Sequence, residues 1–132
     1  MREIKFRAKE IGFEGKWRVG DLHITATKPH IHSLSNKYLI KIETIGQFTG
    51  LYDKNGKEIY EGDIIKSSHG TIHYIVYDND LACFKAVVAR YNPSGEYSTL
   101  SKGWVVQFNK EVIGNIHDNP ELLKTTNHET AE

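Results

Sequence analysis

Apolar and polar residues alternate with a period of two along most of this chain, and no stretch sustains a helical 3.6-residue period. Successive side chains of a strand point to opposite faces, so this pattern dictates a mainly β protein. Ile4 and Phe6 alternate with Glu3, Lys5 and Arg7 as a first half-buried strand. Gly12, Gly15 and Gly20 then separate short pieces at 11–13, 16–19 and 22–25, read as strands joined by glycine turns. Residues 26–37 carry Pro, Ser, Asn and Lys with little periodicity and read as a loop. Short strands are expected at 38–42 and 44–48.

The strongest local signal lies between Leu51 and Tyr60, where Asp53-Lys54-Asn55-Gly56 interrupts two apolar runs. Asn55 and Gly56 tolerate the positive φ of a tight hairpin turn, and Asp53 can accept bonds from the amides ahead of it. Glu61-Gly62-Asp63 forms a second turn and feeds the strand at Ile64-Ile65. A long hairpin is expected next, with strands from Gly70 to Tyr77 and from Leu81 to Arg90 about the turn Asp78-Asn79-Asp80. Residues 91–103 read as a loop, and 104–108 and 112–116 as the last two strands. Asn119-Pro120 predicts a cap and first position of a helical turn through Leu123, followed by a frayed polar tail over 125–132. Short strands at short spacing, with Gly-Asp leading into a β-branched strand, suggest an SH3-like β-barrel or roll.

The 132 residues suit one ordinary domain or two small ones, and contain enough chain to build a core without disulfides or metal. Lys+Arg and Asp+Glu both number 17, so bulk charge holds neither nucleic acid nor an anionic membrane. Cys83 is the single cysteine, which excludes an intramolecular disulfide. No signal-peptide pattern and no run near the ~18 apolar residues of a membrane span is found. The expectation is a cytoplasmic protein of a bacterial host cell with no membrane association.

The segment from Gly46 to Ile64, GQFTGLYDKNGKEIYEGDI, resembles the YopX family of phage and prophage proteins. The opening MREIKFRA and the stretch VIGNIHDNPELL from Val112 to Leu123 resemble the usual beginning and end of that family. The family opening continues into a Trp near position 9, where this chain has Lys9, and Trp17 comes later. The resemblance implies an SH3-type barrel in the C-terminal part, a bacterial or temperate-phage origin, and no catalytic residues. The division expected is an N-terminal set of short strands (1–45) packed on a YopX-like barrel (46–124), then the tail (125–132).

Candidate chemistry is sparse. Asp53, Glu58, Glu61 and Asp63 fall within eleven residues, but turn chemistry accounts for the aspartates, and the glutamates read as solvated strand positions. Asp53, Asn55, Gly56, Gly62 and Asp63 are therefore assigned structural turn roles. Seven histidines are many for this length; His30 with His32, and His69 with His73, can each share a strand face. Zinc wants three or four ligands, and no paired-ligand spacing supplies them, so no metal is expected. Cys83 lacks a designated base and reads as a small core hydrophobe. No phosphate-cradling loop is present, and no cofactor is expected.

Fourteen aromatics remain, and residues 1–41 hold nine Lys+Arg against four Asp+Glu. Trp17, Tyr91 and Tyr97 are the residues assigned to a candidate interaction surface. The reading is a non-catalytic accessory protein of a phage or prophage that binds a protein partner and self-associates as a homo-oligomer. Its alternative is a small nucleic-acid-binding protein, with aromatics as a stacking platform.

Overall fold

A computed structural model describes residues 1–12, 15–25, 28–90 and 92–123. The chain divides into two units, Met1–Gly50 and Leu51–Glu132. The described residues are mainly β, in two antiparallel sheets.

In the first unit, β1 (Phe6–Lys9), β2 (Trp17–Ile24), β3 (Pro29–Ser33), β4 (Asn36–Leu39) and β5 (Gly46–Tyr52) lie in the order β4-β3-β2-β1-β5. Ala8, Ile31 and Ile40 are fully enclosed, with Phe6, Leu22 and Ile45 packed against them. The chain beyond β4 returns to the end of β1. Ile11 N–H donates to the Leu39 carbonyl and Lys41 N–H to that of Lys9, both at 2.9 Å. Thr44 locks this return: its hydroxyl donates to the Lys41 carbonyl at 2.7 Å and accepts the Lys9 N–H at 2.9 Å.

Two expectations here are corrected. Gly20 is not a turn; it lies inside β2, where a Cβ would stand 2.2 Å from the His32 carbonyl oxygen. It is glycine because the neighbouring strand passes too close for any side chain. The stretch 26–37, expected to be a loop, contains β3 and the first half of β4, while residues 26 and 27 lie outside the described residues. Pro29 takes the first strand position, where a missing N–H is tolerated. Ser33 pairs with Asn36 across a two-residue turn at Leu34-Ser35, with Leu34 at φ 56° in place of glycine.

In the second unit, the end of β5 is followed by β6 (Glu58–Tyr60), its neighbour, and then by β7 (Asp63–Lys66), β8 (Ile72–Asp78) and β9 (Cys83–Val88). After β10 (Tyr97–Thr99) come a short helix, α1 (Lys102–Val106), and β11 (Glu111–Asn115). The sheet order is β10-β9-β8-β7-β11. Ile65, Ile75, Ala86 and Val112 join Ile59 and Val105 in one core. Ile64, Ile72 and Ala89 form another with Tyr74, Ile113 and Ile116. Consecutive Ile64 and Ile65 are thus both buried, because β7 is covered on both faces.

The expected barrel does not close: β10 and β11 end this sheet, and among the described residues no pairing joins them. The strand expected at 104–108 is mostly α1 and the turn after it. Trp-Val-Val is strand-forming by composition, but local capping prevails. The Ser101 hydroxyl accepts the Trp104 N–H at 3.1 Å, and the Lys110 ammonium donates to the carbonyls of Trp104 and Gln107. The 91–103 loop holds β10 and the start of this helix. Asn119 stands at the expected cap position, its carbonyl accepting the Leu122 N–H at 3.1 Å, while its side-chain oxygen turns back to accept the Asn115 N–H at 3.1 Å. A helical turn does follow at 121–123, and the tail lies outside the described residues.

Candidate interaction surfaces

The hairpin turn after β5 is held by one carboxylate. Asp53 Oδ1 accepts the N–H groups of Asn55 (2.8 Å) and Lys57 (2.9 Å), and Oδ2 accepts that of Val112 (2.9 Å). Burial raises the Asp53 pKa, but these three amides and the Lys57 charge together outweigh it and hold the carboxyl below its ordinary value. Gly56 has φ 80°, while Asn55 stays out of the left-handed region and donates its amide to Glu111 Oε2 at 3.0 Å. Asp63, fully enclosed, accepts the Tyr60 N–H at 2.7 Å just after Gly62 at φ 95°. Among the described residues no group of three or more His, Cys, Asp or Glu is placed to hold a metal ion.

Trp17 opens β2, with the Arg7 guanidinium 4.9 Å and the Lys9 ammonium 5.6 Å from its ring. Tyr97, on β10 in the other unit, lies under the Lys85 ammonium at 4.4 Å. Tyr91 lies outside the described residues.

Around Trp17 the pairing builds a surface that sequence reading finds only in fragments. Residues directly opposite in an antiparallel pair share a face. Lys9 faces Trp17 and Arg7 faces Val19; farther along β2, Asp21 faces His32 and His23 faces His30. His32 in turn faces Lys37 on β4. These side chains form the face opposite the Ala8–Ile31–Ile40 core. The rings of His23 and His32 stack at 3.8 Å and 17°, and His30 stands edge-on to His32 at 6.3 Å. Burial, then His23, Lys37 and His30, lower the His32 pKa, against a weaker pull from Asp21. The expected pair His30 and His32 is therefore a triplet, completed by His23 across the strand boundary.

Where β4 returns to β1, a groove of about 600 Å³ opens. Ile40 and Pro29 lie beside exposed Ile11 (50%), Leu39 (36%) and Ile42 (62%). Lys28, Lys41 and Glu43 supply its charged lining.

The second unit has a smaller cleft, about 280 Å³, lined by His69, His73, Trp104, Phe108 and Lys110 among others. His73 is buried, edge-on to Trp104 at 5.1 Å, and its Nδ1 has no hydrogen-bond partner. Burial, reinforced by Lys110 and Arg90 and opposed by Glu96, lowers its pKa to about 4. The Lys110 ammonium lies 4.1 Å from the Trp104 ring centre, and its proton donors serve the two carbonyls that end α1. Phe108 and Asn109 both adopt positive φ (58° and 47°) to turn the chain into β11. His69 and His73 do not form a shared ligand pair: His69 packs on Phe108 and His73 on Trp104.

A family model described as YopX protein matches residues 5–124. No curated protein matches the chain. Among solved structures, the chain is similar to the crystal structure of protein EF1440 from Enterococcus faecalis, at 23% identity and a TM-score of 0.55. That similarity covers 93% of this chain and 99% of the other, and shows a shared fold. Among the described residues no helix is long and apolar enough to cross a membrane.

Proposed function

We propose that this chain, which belongs to the YopX family, works as a non-catalytic protein-interaction module of a phage or prophage in the bacterial cytoplasm. The second unit then serves as an SH3-type roll, its strands supplying a rigid frame. The observation that carries the reading is the groove at the end of β4. Three large aliphatic side chains, Ile11, Leu39 and Ile42, remain exposed together beside it. Clustered exposed aliphatic surface of this kind marks contact sites in soluble proteins. Lys28 and Lys41 outnumber Glu43 in the lining, so the occupant is a partner segment with apolar side chains and acidic flanks. The polar groups of the second cleft support a non-catalytic role, because Lys110 is engaged in ending a helix and His73 in packing.

A random peptide library panned on the immobilised protein tests this reading. Apolar peptides with acidic neighbours should be enriched, and Ile42→Glu should abolish their binding. Peptides that bind the Ile42→Glu protein equally well, or no enrichment at all, would remove the groove from the argument.

A further inference from the structure

The net charge of zero conceals an uneven surface. On the strands β1 to β4, the face opposite the first core carries Arg7, Lys9 and Lys37, and Asp21 is the carboxylate in its paired rows. The same face presents rings: Trp17 at one end of β2, and the His23–His32 stack with His30 toward the other. His23 lies six positions beyond Trp17, roughly 20 Å of extended strand. Val19, between them, is 42% exposed, so the middle of the face is open to solvent.

Flat rings interleaved with cations on a sheet suit a polymer that alternates aromatic and anionic groups. Bases stack on side-chain rings regardless of sequence, and Lys and Arg follow the phosphates. A duplex hides its base faces, so only unpaired strands use both features. An acidic protein segment would use the cations and leave the rings idle. We propose that this sheet face binds single-stranded nucleic acid, with Trp17 and the His23–His32 pair stacking bases and Arg7, Lys9 and Lys37 meeting phosphates. The proposal rests on side chains other than those of the apolar groove, although the two surfaces adjoin where Leu39 faces His30. The lowered pKa of His32 supports it secondarily, since a neutral imidazole keeps the stack free of like-charge repulsion near neutral pH.

Fluorescence anisotropy with a labelled 15-nucleotide oligothymidylate, at pH 7.5, reads the proposal. Three phosphate contacts on a single strand give a log–log salt slope of about −2, or about a 20-fold loss of affinity between 50 and 200 mM salt. Lys37→Ala should make that slope shallower by about 0.7. His32→Ala should weaken binding about 5- to 100-fold through lost stacking. Val19→Asp, at an exposed position, places repulsive charge on the face without touching the core and should also weaken binding. Circular dichroism of each variant separates unfolding from lost contact, and Val19→Asp keeps the test decisive if His32→Ala does not fold. Absence of saturable binding at 50 mM salt would overturn the proposal, as would equal affinity for a duplex of the same length. Full affinity in the folded His32→Ala and Val19→Asp proteins would do the same. Displacement by polyglutamate as effective as by unlabelled oligonucleotide would assign the face to an acidic protein instead.

Discussion

His73 is a titratable residue buried where its charged form loses most of its solvation. Its ring meets Trp104 edge-on, and the nearby Lys110 and Arg90 further disfavour an imidazolium. The folded-state pKa of about 4 lies below the unfolded value of 6.5. Between those values the unfolded chain binds more protons than the folded one, so stability rises with pH across this window. The contribution is complete above the unfolded pKa, declines as the pH falls, and is gone below about 4. A shift of this size corresponds to on the order of 3 kcal/mol. His73→Phe keeps a ring against Trp104 and removes the proton site. Its urea midpoint should therefore depend less on pH between 7 and 4 than that of the parent protein. Equal pH dependence in the two proteins would show that other groups dominate acid unfolding. Nothing in the local sequence marks His73 as buried: the alternation puts it on the Ile75 face, but its burial depends on Trp104 and Lys110, some thirty residues along the chain.

The same division separates elements that are legible in the sequence from those that are not. The β5–β6 hairpin is readable because its determinants are local: Asp53 bonds the amides of Asn55 and Lys57, two and four residues ahead. The β8–β9 hairpin is readable for the same reason, since Asp78 Oδ1 accepts the N–H groups of Asp80 and Leu81 at 2.9 Å each. Helix α1 is misread because Trp-Val-Val favours a strand. One of its restraints, the Ser101 cap, is local, and the other, Lys110, acts from beyond the helix. Gly20 is misread because the reason for glycine there is a carbonyl on a strand twelve residues away. In the histidine triplet, spacing shows His30 and His32, but only the register of β2 against β3 adds His23. The hairpin reading gives a direct prediction. Gly56 has φ 80° and nothing within 4 Å of the position a Cβ would take, so any penalty for a side chain is conformational. Gly56→Val should cost about 1–3 kcal/mol, and Gly56→Asn less, because asparagine visits the left-handed region more readily. Thermal midpoints order the three proteins, and an unchanged midpoint in Gly56→Val would sink the turn's contribution to stability.

At the scale of the molecule, the balanced charge is a sum of two unbalanced parts. Residues 1–50 hold nine Lys+Arg and five Asp+Glu, and residues 51–132 hold eight and twelve. The first unit is therefore +4 and the second −4, counting histidines as neutral. Zero net charge leaves no overall repulsion between copies, and opposite signs on different units favour contact between unlike regions of two chains. Unpaired strand edges offer a second route to self-association, and the fold covers part of them. The chain after β4 bonds back to β1 through Ile11 and Lys41, which satisfies part of one edge internally. At the other sheet, β10 and β11 remain as end strands, and an end strand is a template for pairing unless it is covered. Electrostatic attraction and end-strand pairing respond differently to salt, which makes the prediction separable. We expect the mass from light scattering to rise above one chain across a tenfold increase in protein concentration. If unlike charges drive the contact, adding salt to about 0.5 M, where the screening length is near 4 Å, should return the mass to one chain. If end strands pair, the larger mass should persist at that salt. A constant mass of one chain at low salt and high concentration would show that neither the charge asymmetry nor the end strands of this fold bring two copies together.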